Sequence, residues 1–237
     1  MTFKQNLSAV LLITLPFLGT SVFAQDAAIP FISINMIADG QNEVFEDYTE
    51  HLTPIIEAHN SDFTPMDVTF DVAGQLSGSM VVTFGQFGSS EDANAFNQDP
   101  AFLELFPMLE SSLADHMVFF PDGPTPELEE LSRQGSYLMT FVWSDTSTEE
   151  LHAYNDMING VLEPVLLRHG GTNIGSWQAT AASRGLGEDL VAMDAPQLME
   201  LWHFDDLRGF FEDPESADAP QPTFEITRRY FLQLVAP

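Results

Sequence analysis

Two histidines occupy matching places in the two halves of the chain. They stand in Pro54-Ile55-Ile56-x-x-His59 and in Pro164-Val165-Leu166-x-x-His169. Because histidine titrates near neutral pH, both rings are candidate acid–base groups or ligands in a shared pocket. A histidine in the last turn of a helix also interacts favourably with the helix dipole, and Gly170 after His169 is typical of a helix end. Both interpretations stay open at this point.

A second group of candidates lies on two strands near the end of the chain. Trp202 and His203 are neighbours on one predicted strand, so their side chains point to opposite faces. Arg228 and Tyr230 on the last strand share a face, with Arg229 on the other. We predict Trp202, His203, Arg228 and Tyr230 as catalytic residues, with arginine anchoring an anionic ligand such as a carboxylate. The alternative is a surface arginine paired with local acids.

Three short polar residues lie among apolar neighbours on strands. Ser33 and Asn35 belong to the first predicted strand of the chain, and Thr140 to the first strand of its second half. Polar groups in such places orient a ligand within an apolar pocket, and we predict ligand binding for these three residues together with His59 and His169. Hydrogen bonding across strands is the other interpretation.

Motifs for metals, nucleophilic serine and nucleotides are missing from the sequence. It contains neither H-E-x-x-H nor Gly-x-Ser-x-Gly, and no phosphate-cradling loop or dinucleotide fingerprint. We therefore predict no metal and no cofactor, and the residues assign no haem ligand.

The pattern of elements occurs twice along the chain. Alternating apolar residues predict half-buried strands and 3.6-residue spacing predicts helices, in the order β-α-β-β-α-β. Ser89-x-x-Asp92 and Ser147-x-x-Glu150 resemble capping boxes, and Asp99-Pro100 starts a further helix. The predicted strands are 31–37, 68–72, 79–84 and 116–120 in the first half, and 137–143, 173–181, 197–204 and 224–234 in the second.

Individual residues also match between the halves. The proline–histidine motif repeats at an offset of 110, and Phe96-x-x-Asp99-Pro100 repeats as Phe210-x-x-Asp213-Pro214 at an offset of 114. Pro/Gly punctuation between the halves marks a boundary. We predict a signal peptide at 1–24, a first repeat at 30–121, a linker at 122–135 and a second repeat at 136–235.

Each repeat predicts a ferredoxin-like α+β unit. Helices cover one face of its sheet and leave the other face in need of a partner, which the second repeat supplies within the same chain. We therefore predict that the two sheets meet face to face as one intrachain, pseudo-dimeric α/β barrel. The residues leave open whether this barrel is hollow or filled.

The sequence resembles the dimeric α/β-barrel superfamily. The first repeat is similar to DUF1330 domains in the segment from Phe87-Gly88-Ser89 to Asp99-Pro100-Ala101-Phe102, and the second in Leu167-Arg168-His169-Gly170-Gly171. The second also resembles NIPSNAP-type domains in Ile174-Gly175-Ser176-Trp177 and Glu200-Leu201-Trp202-His203-Phe204. The resemblance implies the barrel fold. The superfamily includes cofactor-free monooxygenases, isomerases, haem proteins and members without known activity, and the resemblance does not choose among these functions.

The N-terminus carries the features of a secretory signal. Lys4 precedes the apolar stretch Leu7–Leu18, and Val22-Phe23-Ala24 places small residues before a cleavage site at Gln25. The apolar stretch is shorter than the roughly 20 residues of a membrane span. We therefore expect a periplasmic or secreted protein, which contains no cysteine and hence no disulfide.

After that cleavage the chain is strongly acidic. Its only lysine leaves with the signal, so six arginines face all 36 acids and the net charge is −30. No basic patch can then neutralise phosphates, which argues against nucleic acid and anionic membranes as partners. The acids are dispersed, as in a solvated surface, although they could also attract cationic ligands. The residues allow a monomer or a homodimer.

Three hypotheses for function follow. The first is an exported protein that binds a small apolar or aromatic molecule in the barrel. The second is a cofactor-independent enzyme of the monooxygenase or isomerase type that uses Trp202, His203, Arg228 and Tyr230. The third is a non-catalytic, stress-related scaffold whose barrel is only filled core. Because no catalytic constellation is complete, the binding hypothesis is preferred.

Overall fold

The computed structural model describes residues 27–71, 78–131, 134–218 and 220–235. The predicted signal peptide at 1–24 lies outside the described residues. The helices and strands of the structure all lie within the described ranges.

The first half forms four strands and three helices. Ser89 accepts a hydrogen bond from the Asp92 N–H, and Asp99 accepts one from the Ala101 N–H at 2.7 Å, so both predicted helix starts are confirmed. Its elements are β1 (Ile29–Ile37), α1 (Asn42–Ala58), β2 (Ser61–Asp71), β3 (Met80–Phe87), α2 (Ser90–Gln98), α3 (Pro100–Ser112) and β4 (Leu113–Pro121).

The second half repeats this order after a short helix, α4 (Leu128–Leu131). Ser147 caps its long helix through the Glu150 N–H, as predicted. The short helix near its end is capped by Asp206, whose side chain accepts a hydrogen bond from the Gly209 N–H. Its elements are β5 (Ser136–Ser144), α5 (Thr148–Arg168), β6 (Thr172–Trp177), β7 (Ala179–Arg184), β8 (Val191–Ala192), β9 (Leu198–Phe204), α6 (Leu207–Glu212) and β10 (Ile226–Leu234).

The strand predicted at 173–181 is divided in the structure. β6 and β7 are separated only by Gln178, and each pairs with a different half: β6 with β9, and β7 with β4. The chain bends at Gln178 because a single segment bridges the two halves. Beyond Arg184 it turns back through β8, which pairs with β7.

All strands join one antiparallel sheet that closes on itself. The strand order is β6-β9-β5-β10-β2-β3-β1-β4-β7-β8. β6, at one end of this order, continues along the chain into β7, which lies next to the other end. The last strand of each half pairs with the second strand of the other, β10 with β2 and β4 with β7. The predicted fold, two ferredoxin-like repeats packed as one intrachain barrel, is confirmed.

The barrel interior is filled by large side chains. Inward positions of every long strand contribute to one apolar cluster that includes Phe84, Phe119, Phe141 and Tyr230. The Phe119 and Phe141 rings lie 4.8 Å apart, and both side chains are completely buried. Burial of these rings makes the interior a packed core, which answers the question that the sequence left open.

Helices cover the outer face of the barrel. In the first half α1, α2 and α3 pack on the sheet through a second apolar cluster, and in the second half α5 and α6 do so through two smaller ones. Within the described ranges, no helix has the length and apolar character needed to cross a membrane. Because the helices of each half pack on the sheet through separate apolar clusters, the two halves can differ in these outer layers.

Truncation of a barrel ring tests this account of the core. We expect Phe119→Ala to lower the free energy of unfolding by about 3–5 kcal/mol, because it leaves a cavity among side chains that cannot collapse into it. Phe211→Ala is the matched control, since Phe211 is 43% exposed. Urea unfolding measures both variants. Equal losses from the two substitutions would contradict a closely packed interior.

Candidate functional site

An apolar cavity lies between the sheet of the first half and helices α1 and α3. Its volume is about 130 Å³. Five phenylalanines and Tyr48 supply most of the wall, and Leu186, from the turn between β7 and β8, closes one side. The phenylalanines are Phe31, Phe45, Phe63, Phe96 and Phe102. The cavity is thus on the opposite face of the sheet from the barrel interior, where the sequence placed the ligand.

Four polar side chains converge on one wall of this cavity. Strand register explains their meeting: Ser33 lies opposite Thr83 on β3, and Asn35 lies opposite His116 on β4. The Asn35 Nδ2 lies 3.3 Å from the Ser33 Oγ and 3.4 Å from the Thr83 Oγ1. The His116 Nδ1 lies 2.8 Å from the Asn35 Oδ1. Ser33 and Asn35, both predicted as ligand-binding residues, therefore do line a pocket.

The hydrogen bonds define the protonation of the histidine ring. Asn35 Nδ2 also lies 3.4 Å from the Val81 carbonyl oxygen, which can only accept. The amide nitrogen therefore donates on that side and Asn35 Oδ1 accepts from the Nδ1–H of His116. In the neutral ring the other nitrogen, Nε2, is an acceptor. No partner for Nε2 is found in the part of the chain that the structure describes.

Burial keeps this ring neutral. His116 is only 9% exposed. Desolvation lowers the pKa of His116 to about 4, and the nearby Asp115 charge only partly opposes this shift. At neutral pH the wall of the cavity thus includes an uncharged imidazole beside its aromatic rings.

The helix-facing side of the second-half sheet carries a different set of polar side chains. Thr140 is the fifth residue of β5, as Ser33 is of β1, and it lies opposite Glu200 where Ser33 faces Thr83. The Glu200 Oε1 accepts from the Asn155 side-chain amide at 2.9 Å, and two further asparagine amides lie within 3.5 Å. Burial raises the pKa of the Glu200 carboxyl, and the Asn155 hydrogen bond partly opposes that shift. Amide groups thus satisfy a buried carboxyl there.

The four predicted catalytic residues lie in different environments. His203 is buried at one end of the barrel, with its Nε2 2.7 Å from the Gln134 carbonyl oxygen. Trp202 lies on the helix-facing side, near Phe204. The strand alternation therefore separates these two side chains as predicted.

The two predicted residues of the last strand face the barrel. Tyr230 is buried and packs against Trp143, with ring centroids 5.3 Å apart. The Arg228 guanidinium lies 4.9 Å from the centre of the same Trp143 ring, a cation–π contact. Arg229 is on the outer side, above Phe231. Three other arginines, Arg168, Arg184 and Arg208, pair with nearby acids.

The repeated histidines occupy equivalent structural positions. His59 follows α1 and its Nε2 lies 2.7 Å from Asp99 Oδ2, while His169 follows α5 and its Nε2 lies 3.1 Å from Asp213 Oδ2. The two repeated sequence motifs thus meet in space in both halves. Neither ring lines the cavity, and each connects the end of a long helix to the start of the next helical segment.

His116 is the main functional candidate that the sequence analysis missed. The sequence analysis did not select it as a site residue. Its signal was present in the topology, because the first and last strands of a ferredoxin-like unit are adjacent and bring His116 opposite Asn35. Among the described residues, no group of three His, Cys, Asp or Glu side chains is placed to hold a metal ion.

The comparisons with known proteins show the fold. No protein-family model matches the chain. No curated protein matches it either. A solved structure of a candidate monooxygenase from Fusobacterium nucleatum is similar, with a TM-score of 0.51 and 8% sequence identity over 90% of this chain and 94% of that one. At this identity the likeness concerns the fold alone.

Two further solved structures match with lower scores. One is a candidate monooxygenase from Lactobacillus acidophilus (TM-score 0.48, 10% identity, 88% of this chain and 93% of that one). The other is chlorite dismutase from Candidatus Nitrospira defluvii in complex with imidazole (TM-score 0.48, 10% identity, 89% and 92%).

Acid stability tests the protonation of His116. Its pKa is about 4 in the folded protein and is expected near the usual 6.5 when unfolded. The unfolded state therefore takes up the proton first as the pH falls, so stability is full above pH 6.5 and is lost towards pH 4. This loss is about 3 kcal/mol. We expect the His116→Gln variant not to show this loss. Urea titrations at each pH measure the free energy of unfolding of both proteins.

The exposed His51 provides the control. His51→Gln should lose stability on acidification as the wild type does, because this ring lies at the surface of α1. If wild type and His116→Gln lost the same free energy between neutral pH and pH 4, the neutral buried ring would be contradicted.

Proposed function

We propose that the protein binds a small aromatic molecule carrying a hydroxyl group, in the cavity between the first-half sheet and helices α1 and α3. The observation that carries this proposal is the neutral His116 in the cavity wall, whose Nε2 is an acceptor without a partner among the described residues. A ligand hydroxyl that donated to this nitrogen would add one hydrogen bond, a net gain of about 0.5–1.5 kcal/mol.

The size of the cavity favours a single ring. An engineered cavity of about 150 Å³ lined by apolar side chains binds benzene, and this cavity measures about 130 Å³. The ring centroids of Phe31 and Phe63 lie 4.9 Å apart with their planes nearly perpendicular, an edge-to-face packing that a further aromatic ring would extend. A phenol fits both the volume and the polar wall.

The wider setting of this function also stays a proposal. Export through the signal at 1–24 to the periplasm or outside the cell fits the acidic, cysteine-free composition. Membership of the DUF1330 or NIPSNAP-type families rests on the quoted motifs. We further propose a monomer or homodimer that contacts neither nucleic acid nor membrane, in keeping with its net charge.

An enzyme acting without a cofactor is the second candidate. Such an enzyme must take the proton of a bound phenol, and with a pKa of about 4 His116 is a weak base that would mainly orient the hydroxyl. Products detected by mass spectrometry after incubation of a phenol with the protein in air would favour it. If no phenol binds the protein, the hypothesis of a non-catalytic scaffold would replace both the binding and the enzyme candidates.

Paired fluorinated ligands test the binding proposal. We expect 4-fluorophenol to bind about 2- to 10-fold more tightly than fluorobenzene, the gain of one hydrogen bond, in ¹⁹F NMR titrations of the wild type. His116→Leu should remove that preference while fluorobenzene affinity changes little. In His203→Leu, which loses a buried imidazole outside the cavity, the preference should persist.

Two results would contradict the proposal. One is the absence of binding of either compound at millimolar concentration. The other is an unchanged preference for the phenol in folded His116→Leu, with folding checked by circular dichroism.

A further inference from the structure

The cavity continues into an acidic groove on the surface. The groove runs between α1 and the strands β2 and β3 and shares Phe45, Thr49 and Pro65 with the cavity. Two carboxylates line it, Glu46 on α1 and Asp67 on β2. A ligand ring in the cavity could therefore extend a substituent into this groove without crossing the protein core.

Neither carboxylate has a cationic partner in the described parts of the chain. The arginines that form ion pairs do so elsewhere, with Asp115, Asp213, Glu215 and Glu212. Both groove side chains are exposed. Two unpaired negative charges at the mouth of an apolar cavity favour a cationic group on the ligand.

The register of the sheet places the two ends of the site on one line. His116 lies opposite Asn35, Asn35 opposite Val81, and Val81 opposite Asp67. His116 and Asp67 are thus three strands apart on the same face of the sheet. At a strand spacing of about 4.8 Å their Cα atoms are about 14 Å apart.

We propose that the ligand of this site is a phenol that carries an ammonium group on a short chain opposite its hydroxyl. This inference rests on the proposed function and adds a second recognition point to it. The hydroxyl donates to His116 Nε2 at the inner end, the ring fills the aromatic cavity, and the ammonium lies between Glu46 and Asp67. A two-carbon chain would let the ammonium extend from the ring in the cavity towards the groove carboxylates.

The composition of the chain agrees with this choice. With a net charge of −30 after removal of the signal, the protein as a whole attracts cations and repels anions. An experiment must therefore distinguish the two groove carboxylates from this general field.

Three phenols with equal rings provide the test. Calorimetric titrations of the full chain compare tyramine, neutral 4-ethylphenol and anionic 4-hydroxyphenylacetate at low ionic strength. We expect tyramine to bind about 2- to 10-fold more tightly than 4-ethylphenol, as two exposed charge pairs allow, and 4-hydroxyphenylacetate to bind most weakly.

A pair of double variants separates the groove from the general field. Glu46→Gln with Asp67→Asn should abolish the preference for tyramine and leave 4-ethylphenol affinity unchanged. Glu43→Gln with Glu50→Gln removes the same charge from exposed positions of α1 outside the groove, and it should retain the preference.

The outcomes are distinguishable. If 4-ethylphenol fails to bind the wild type, the proposed function itself fails. If it binds but tyramine binds no more tightly, only the ammonium site is overturned. The same holds if both double variants reduce the preference equally, since the field of the whole protein would then be its cause.

Discussion

Closure of the sheet is the constraint on which the rest of this structure depends. Each half has an apolar inner face that water would cover in isolation, and burying that face is the dominant gain of folding. The other half of the same chain covers it through β10 against β2 and β4 against β7. Backbone hydrogen bonds thus join the two halves at both of these strand pairs.

Closure also restricts where function can develop. Once Phe119, Phe141 and their neighbours fill the interior, a ligand there would have to displace a packed core. The outer layers are not constrained to be alike. In the first half, His116 and Asn35 lie beside a cavity, and in the second, asparagine amides surround the Glu200 carboxyl. Two copies of one fold therefore provide two different chemical environments.

Much of the fold followed from short-range patterns. The helix starts at Ser89, Asp99 and Ser147 were predictable because a capping side chain and the N–H groups it satisfies lie within three residues. The break at Gln178 was not, because it results from pairing with β4 and β9, both distant in sequence. Likewise, Ser33 and Asn35 were predicted for the site, whereas His116 required the pairing of β1 with β4.

The sequence by itself determined the two-repeat order, the alternation of faces on each strand and the acidic character of the chain. These depend on residue type and local spacing, which folding does not alter. Only the tertiary structure decided that the barrel is filled, that the cavity lies under α1 and α3, and that His116 is neutral. Burial, packing volume and long-range strand register are properties of residues brought together from distant parts of the chain, so no local pattern contains them.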